Sequence, residues 1–208
     1  MIKDLILKNR SYRMFYQERF IEISTLRELV DLARLSPSGR NIQALKYVLA
    51  NTEEKNNKIY KNIHWAGYYK DWAGPKDGEK PSAYIVVVKD NSLGMNMAQD
   101  QGIAVQSILL GAVEKGLGGC IIGNIDKEKL SKKLNLDEKY EIALVLALGY
   151  PKEEVVIEEI NENGDFKYWR DEKEVHHVPK RTLDESPHKP PARLFGKSSV
   201  AGLYWFQL

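Results

Sequence analysis

The stretch from Met97 to Lys115 constrains the fold more than any other, because it predicts one long helix that is apolar on nearly every face. A helix of this kind leaves its apolar side chains exposed unless other elements cover it on several sides. We therefore expect this helix to lie in the centre of a core. Its apolar residues are Ala98, Ile103, Val105, Ile108, Leu109, Ala112 and Val113.

Two apolar runs, Ala83 to Val88 and Glu141 to Leu148, predict strong buried strands. Lys46 to Ala50 and Cys120 to Ile122 are shorter strand candidates. Four shorter helices are predicted as well. The first lies near the start of the chain, and the second runs from a Thr25–Glu28 capping box to the stop at Pro37. The third covers Glu53 to Asn62, and the fourth follows an N-cap at Asp126. The predicted fold is α+β, with a central mixed or mainly antiparallel sheet flanked by helices.

The last third of the chain reads differently. Val155 and Ile157 lie at alternate positions before the acidic run Glu158 to Asp165, and Asn163–Gly164 is a typical turn pair, so an edge hairpin is predicted there. We expect residues 1–185 to form a single domain. Residues 186–208 are rich in Pro, Lys, Arg and aromatic residues without periodicity, and they are a genuine extension, a cloning remnant or a translated frameshift.

Charge and cysteine content exclude several classes of protein. The net charge is +2 from 31 basic and 29 acidic residues, so no nucleic-acid partner is expected, although basic and aromatic residues do alternate in the tail. A single cysteine, Cys120, excludes an internal disulfide and predicts a buried, inert thiol and a reducing cytoplasm. Neither a signal peptide nor a run of about 20 apolar residues is visible, so no membrane is expected. The four histidines lack the spacing of a zinc site, so no metal is predicted.

Three segments carry candidate chemistry. Arg10, Ser11 and Arg13 place two guanidinium groups and a hydroxyl close together, which suits a terminal phosphate or is simply a solvated helix end. Ser36 to Gln43 is a loop of small and amide residues that could meet the polar edge of a flat heterocycle or be an ordinary turn. Trp65, Tyr68, Tyr69 and Trp72 form core or dimer packing, or a lid over a substrate or nicotinamide.

Four segments in order strengthen the phosphate interpretation. NRSYRMF, SPSGRNIQ, GAVEKGLGGCIIGNID and ALGYPKEE resemble the FMN-dependent nitroreductase family in sequence and spacing. The resemblance covers about Leu5 to Glu185, and stretches such as KYWRDE and VHHVPKRTLDE resemble a bacterial subgroup named as NADH dehydrogenases or nitroreductases. Ala44 followed by Leu45 departs from the family, where many members have proline and then a large residue, so the acceptor pocket is left open.

The resemblance implies a set of cofactor-binding residues at the interface of a homodimer whose long helices meet. Arg10, Ser11 and Arg13 match residues that hold the FMN phosphate and ribityl chain, with Lys180 and Arg181 as further contacts. The remaining matches are a loop that reaches the flavin from the opposite subunit and a segment near the isoalloxazine edge: Pro37, Ser38, Asn41 and Gln43, and then Ile122 and Gly123.

The implied function is a flavin oxidoreductase. It would transfer hydride from NADH or NADPH to a small oxidised acceptor, such as a nitroaromatic or a quinone, by a ping-pong mechanism, with no catalytic side chain required. Alternatives are the same fold with another flavin reaction, such as dehalogenation or enone reduction, or a flavin-binding protein without turnover. The acceptor and the choice between NADH and NADPH are left open by the sequence.

Overall fold

The computed structural model describes residues 1–93 and 98–186 and centres on a four-stranded antiparallel sheet in the order β1-β2-β4-β3. The mainly antiparallel sheet predicted from the sequence is therefore confirmed. Strands β2 and β4 pair along their whole length, with an irregularity between Val87 and Val88. The strands are β1 (Leu45–Ala50), β2 (Ala83–Asp90), β3 (Gly118–Ile122) and β4 (Tyr140–Gly149).

Both faces of this sheet are covered, which explains why its central strands read as continuous apolar runs. Alternate residues of β2 enter two separate hydrophobic clusters. Ile85 faces the cluster that contains Leu29 and Ile108, and Val86 faces the cluster that contains Phe15 and Leu130. The helices that cover the sheet are α1 (Ile2–Lys8), α2 (Ile23–Leu35), α3 (Glu53–Tyr60), α4 (Ala98–Glu114) and α5 (Lys127–Leu134).

The predicted central helix is present as α4, but within one chain it is buried on one side only. Ala104, Val105, Ile108 and Ala112 are buried, whereas Ile103 is 39% exposed. The predicted capping box is wrong, because α2 begins two residues before Thr25, with Glu22 at the N-cap. The rest of the helix predictions differ from the structure by a few residues at their ends.

A second, three-stranded sheet lies beyond β4 in the order β5-β7-β6, and it corrects the predicted hairpin. Strand β5 (Val155–Glu159) pairs in parallel with β7 (His176–Lys180), so the two cannot be joined by a tight turn. Strand β6 (Trp169–Arg170) pairs antiparallel with β7. The predicted turn exists, since Gly164 has φ 71° and its N–H donates to Asn161, but β5 and β6 are not neighbours.

Two further observations concern the chain as a whole. Over residues 1–93 and 98–186, no helix combines the length and apolar character that crossing a membrane requires. The sequence predictions for the tail fall on residues 187–208, which lie outside the described residues.

Candidate functional site

Arg10 to Arg13, which we call the arginine segment, follow α1 and run beside β3, where two glycines allow a close approach. Ser11 forms an isolated parallel bridge with Gly119, and the N–H of Tyr12 donates to the Gly119 carbonyl at 3.0 Å. A Cβ at Gly118 would collide with the ring of Tyr12, and one at Gly119 would lie 2.6 Å from Leu109 Cδ2. The glycine-rich sequence thus fixes Arg10 and Arg13 at the edge of the central sheet.

A cavity of about 290 Å³, which we call the arginine cavity, opens between this segment, α4 and β7. Three cationic side chains, those of Arg10, Arg13 and Lys180, line it, and its described lining contains no carboxylate. Such a donor set favours an anion over a metal or a cation. The other lining residues are Asn9, Ser11, Gln106, Leu109, Gly119, Ile121, Tyr168, His176 and Val178.

The two guanidinium groups are partly committed and partly free. Arg10 donates from Nη2 to the Ile6 carbonyl at 2.8 Å, which holds it against the end of α1. Arg13 donates from Nη1 to the Ser11 carbonyl at 3.0 Å. The Nε atoms of both arginines are buried and have no hydrogen-bond partner within the described segments. Buried donors of this kind normally have an acceptor, so an anion in the cavity would satisfy both.

His176 joins Arg13 to the aromatic segment. Its Nε2 lies 2.9 Å from Arg13 Nη1 and its Nδ1 lies 2.5 Å from the Tyr69 hydroxyl. Burial, together with the charges of Arg13, Arg170 and His177, lowers the pKa of His176 to about 3, so the ring is neutral near pH 7. Burial also raises the pKa of Tyr69 to about 12. The arginine segment and the aromatic segment are therefore connected by two hydrogen bonds, from the Arg13 guanidinium to a neutral imidazole and from that imidazole to a neutral phenol.

A buried carboxylate supports the same segment from the other side. Glu153 accepts hydrogen bonds from the backbone N–H groups of Arg13 and Met14, the latter at 3.2 Å. Arg170 on β6 donates to its second oxygen at 2.9 Å. The arginine segment is thus held between β3 of the central sheet and the second sheet.

The loop after α2 forms a different cavity, of about 240 Å³, and is held by an acid of α4. Asp100 is buried and accepts from the Ser38 hydroxyl at 2.8 Å and from the Gly39 N–H at 2.9 Å. The Gln43 N–H donates to the same hydroxyl at 3.0 Å. Pro37, Ser38 and Gln43 line this cavity, and Asn41 does not. Asn41 and Gln43 have φ values of 56° and 55°, so Asp100 supports a strained loop.

The remaining predicted site residues do not meet Arg10 and Arg13 within one chain. Ile122 is buried in the core cluster and Gly123 is exposed at the end of β3, whereas their neighbour Ile121 lines the arginine cavity. Alternation along the strand explains why Ile121 and Ile122 point to opposite sides. Arg181 points elsewhere and lies 3.9 Å from Glu185.

The aromatic segment is mainly packing within the chain. Trp65 is buried and makes an edge contact with Trp72, and Tyr69 packs against Tyr168 at 5.2 Å between ring centroids. Tyr68 is 47% exposed, so one ring remains accessible. Packing is therefore the alternative that these contacts favour.

Sequence reasoning missed Glu153, Tyr168 and His176. On β7, His176, Val178 and Lys180 lie at alternate positions on the side of the cavity, but this spacing alone does not indicate a role for His176, and no sequence pattern marks Glu153 or Tyr168. Cys120 agrees with its prediction, because it is buried and burial raises the pKa of its thiol to about 11. Across the described residues, no group of three or more His, Cys, Asp or Glu side chains could hold a metal ion.

Comparisons with known proteins identify relatives of the chain and solved structures of similar fold. An iodotyrosine deiodinase of Thermotoga neapolitana is 25% identical to the chain, covering 73% of it and 89% of the relative. An oxygen-insensitive NADPH nitroreductase of Helicobacter acinonychis is 27% identical, covering 71% and 86%. The solved structure of an FMN-dependent nitroreductase from Clostridium difficile R20291 superposes with a TM-score of 0.61 at 23% identity, covering 74% of this chain and 89% of that one. The model of the Nitroreductase family matches residues 6–150, and the chain belongs to that family.

Proposed function

We propose that the chain binds FMN in the cavity lined by Arg10, Arg13 and Lys180 and transfers hydride from NADH or NADPH to a small oxidised acceptor. The observation that carries this proposal concerns the described residues 1–93 and 98–186. Among them, two buried guanidinium Nε atoms have no hydrogen-bond partner, and they lie beside a cavity that is lined by three cations and no carboxylate. The names of two relatives, an NADPH nitroreductase and an FMN-dependent nitroreductase, support it. The single-cysteine composition supports a cytoplasmic location.

The residues present fit a phosphate group. Arg10 and Arg13 would face it with their free N–H groups, since planar forked donors match phosphate oxygens in pairs. Ser11 would add a hydroxyl donor and Lys180 a point charge. Arg181 would need to leave Glu185 to take part, so it is the weaker of the two C-terminal candidates.

When bound, FMN supplies the hydride-accepting and hydride-donating chemistry of the reaction. The protein's part is to hold and orient. The cationic side chains neutralise the phosphate, and Ile121, which is 42% exposed, offers an apolar contact next to them. The nicotinamide and the acceptor would use the same position one after the other, as a ping-pong mechanism requires. No side-chain proton donor is part of the proposal.

A homodimer would complete the site. The loop with Pro37, Ser38, Asn41 and Gln43 lies apart from the arginine cavity of its own chain, so it would serve the partner's cavity. Exposed apolar side chains on the helices next to this region support such an interface. They are Ile2, Ile6 and Leu7 on α1, Leu35 on α2 and Ile103 on α4.

An absorption spectrum of the purified full chain tests the cofactor. We expect flavin bands, with FMN as the molecule released on denaturation, and anaerobic bleaching on addition of NADH or NADPH. Sedimentation should give twice the monomer mass. A colourless protein that does not bind added FMN would contradict the proposal, and bleaching no faster than that of free FMN would leave a flavin-binding protein without turnover.

A second candidate reaction is reductive dehalogenation of a halogenated phenol. Its specific support is the iodotyrosine deiodinase relative, of which this chain covers 89%. NADH or NADPH oxidation measured with a nitroaromatic, a quinone and an iodophenol separates the two. Iodide release at a rate comparable to nitroaromatic reduction would favour the second candidate, and its absence would remove it.

A further inference from the structure

We propose that His176 is a positioning residue for Arg13. Its imidazole binds Nη1 of the guanidinium and so leaves the Nε–Nη2 edge for the phosphate of the cofactor. The inference rests on the proposed function, because it concerns how that phosphate would be held. His176 lies on β7, outside the residues 6–150 that match the family model.

The hydrogen bonds of Arg13 leave one edge available. Both protons of Nη1 are used, one by the Ser11 carbonyl at 3.0 Å and one by His176 Nε2 at 2.9 Å. Nε is buried and has no partner in the described segments, and the hydrogen bonds that the structure shows for the Arg13 side chain both come from Nη1, not from Nη2. The two N–H groups on that edge are parallel, which is the arrangement that binds two oxygens of a phosphate together.

Arg13 fixes the tautomer of the imidazole, and Tyr69 takes its remaining proton. A guanidinium nitrogen only donates, so Nε2 of His176 has to accept and the proton has to be on Nδ1. That proton points to the Tyr69 hydroxyl oxygen, 2.5 Å away. The other tautomer would place the Nε2–H of His176 against an N–H of Arg13, so the contact with Arg13 selects the tautomer and the Tyr69 hydroxyl accepts the Nδ1 proton.

Packing keeps the guanidinium from turning. Its central carbon lies 4.5 Å from the centroid of the Tyr168 ring, and the same ring lies 5.2 Å from that of His176. His176 itself is 1% exposed. Arg13 is therefore clamped between one ring face and one ring nitrogen, and the direction of its free edge depends on both.

The preference for FMN over riboflavin isolates this role, since the two ligands differ only in the phosphate. The experiment determines both dissociation constants for the full-length protein from the quenching of flavin fluorescence. His176→Phe keeps a ring but accepts no hydrogen bond, and we expect it to lower the preference for FMN about tenfold with riboflavin affinity changed less than about twofold. His176→Gln restores an acceptor, so it should retain most of the preference.

His177→Phe is the matched control. His177 is the next residue on β7 and faces the other side, where its Nδ1 lies 3.0 Å from Glu158. Its substitution should leave the preference for FMN unchanged. A merely structural role of His176 would weaken FMN and riboflavin equally and would overturn the inference.

Tyr69→Phe covers the case in which His176→Phe does not fold. It leaves Arg13 and His176 in place and removes only the acceptor of the Nδ1 proton, so we expect the preference for FMN to fall about threefold. An unchanged preference in Tyr69→Phe and in every folded His176 variant overturns the inference while the proposed function stands. A wild-type protein that binds FMN no better than riboflavin overturns the phosphate site of the proposed function itself.

Discussion

Glu153 and Arg170 form a buried ion pair in which Oε2 and Nη2 are 2.9 Å apart and the side chains are 0% and 14% exposed. The other oxygen of the same carboxylate accepts from the backbone of Arg13 and Met14. One acid therefore connects the second sheet to the arginine segment. Removing its charge should disturb both.

Glu153→Gln should destabilise the protein strongly, because a neutral amide would leave the buried Arg170 cation without a counter-charge. We expect the free energy of unfolding to fall by about 3–5 kcal/mol in urea titrations. Glu28→Gln is the control, since the pair of Glu28 and Lys115 is exposed, and it should change the free energy by less than about 1 kcal/mol. Equal effects of the two substitutions would contradict the prediction.

Arg10→Lys should weaken FMN binding about tenfold or more, because a lysine cannot present a forked pair of donors to a phosphate. Arg181→Lys is the matched control, since Arg181 does not line the cavity and should change the affinity less than about twofold. Fluorescence titration of both variants gives the answer. A loss of affinity at position 181 equal to that at position 10 would mean that Arg181 turns inward when the cofactor binds.

Asp100→Asn should loosen the loop after α2. An amide keeps one acceptor but cannot accept from both the Ser38 hydroxyl and the Gly39 N–H, so the free energy of unfolding should fall by about 1–2 kcal/mol. Asp31→Asn, in an exposed pair with Arg34, should have little effect in the same urea titration. No difference between the two variants would show that the loop is held by its own backbone.

The low pKa of His176 predicts a loss of stability in acid. Its pKa is about 3 in the folded protein and near 6.5 when unfolded, so below about pH 6.5 only the unfolded chain takes up the proton. The stability that the neutral ring contributes is present above that pH and falls by up to about 1.4 kcal/mol per pH unit toward pH 3. The difference in unfolding free energy between wild type and His176→Gln should therefore shrink from pH 7 to pH 4, whereas a constant difference would refute the low pKa.

The central sheet was predictable because its strands carry the signal of their own burial. Ala83 to Val88 and Glu141 to Leu148 are apolar on both faces, and both faces are covered. The pairing of the second sheet was not predictable, because β5 pairs with β7 beyond the turn at Asn163 and Gly164, and the periodicity of a strand does not indicate its partner when that partner is distant in sequence.

The arginine cavity was predictable in part. Arg10, Ser11, Arg13 and Lys180 do line one cavity, but Ile121 takes the position that was assigned to Ile122, because a shift of one residue reverses the side of a strand. Glu153 and His176 could not be found, since their roles follow from contacts with Arg13 across more than a hundred residues.

The contact between Arg13 and His176 spans 163 residues of sequence. During synthesis on a ribosome, the first helices and the central sheet can form while the strand that carries His176 has not yet been made. The wall that this strand contributes is therefore added late, after nearly all of the described chain has emerged. A nascent polypeptide halted after Gly149 would have the strands of its main sheet and yet lack the surface against which Arg13 is held, so acquisition of the ligand is expected to be among the last events in the maturation of the protein.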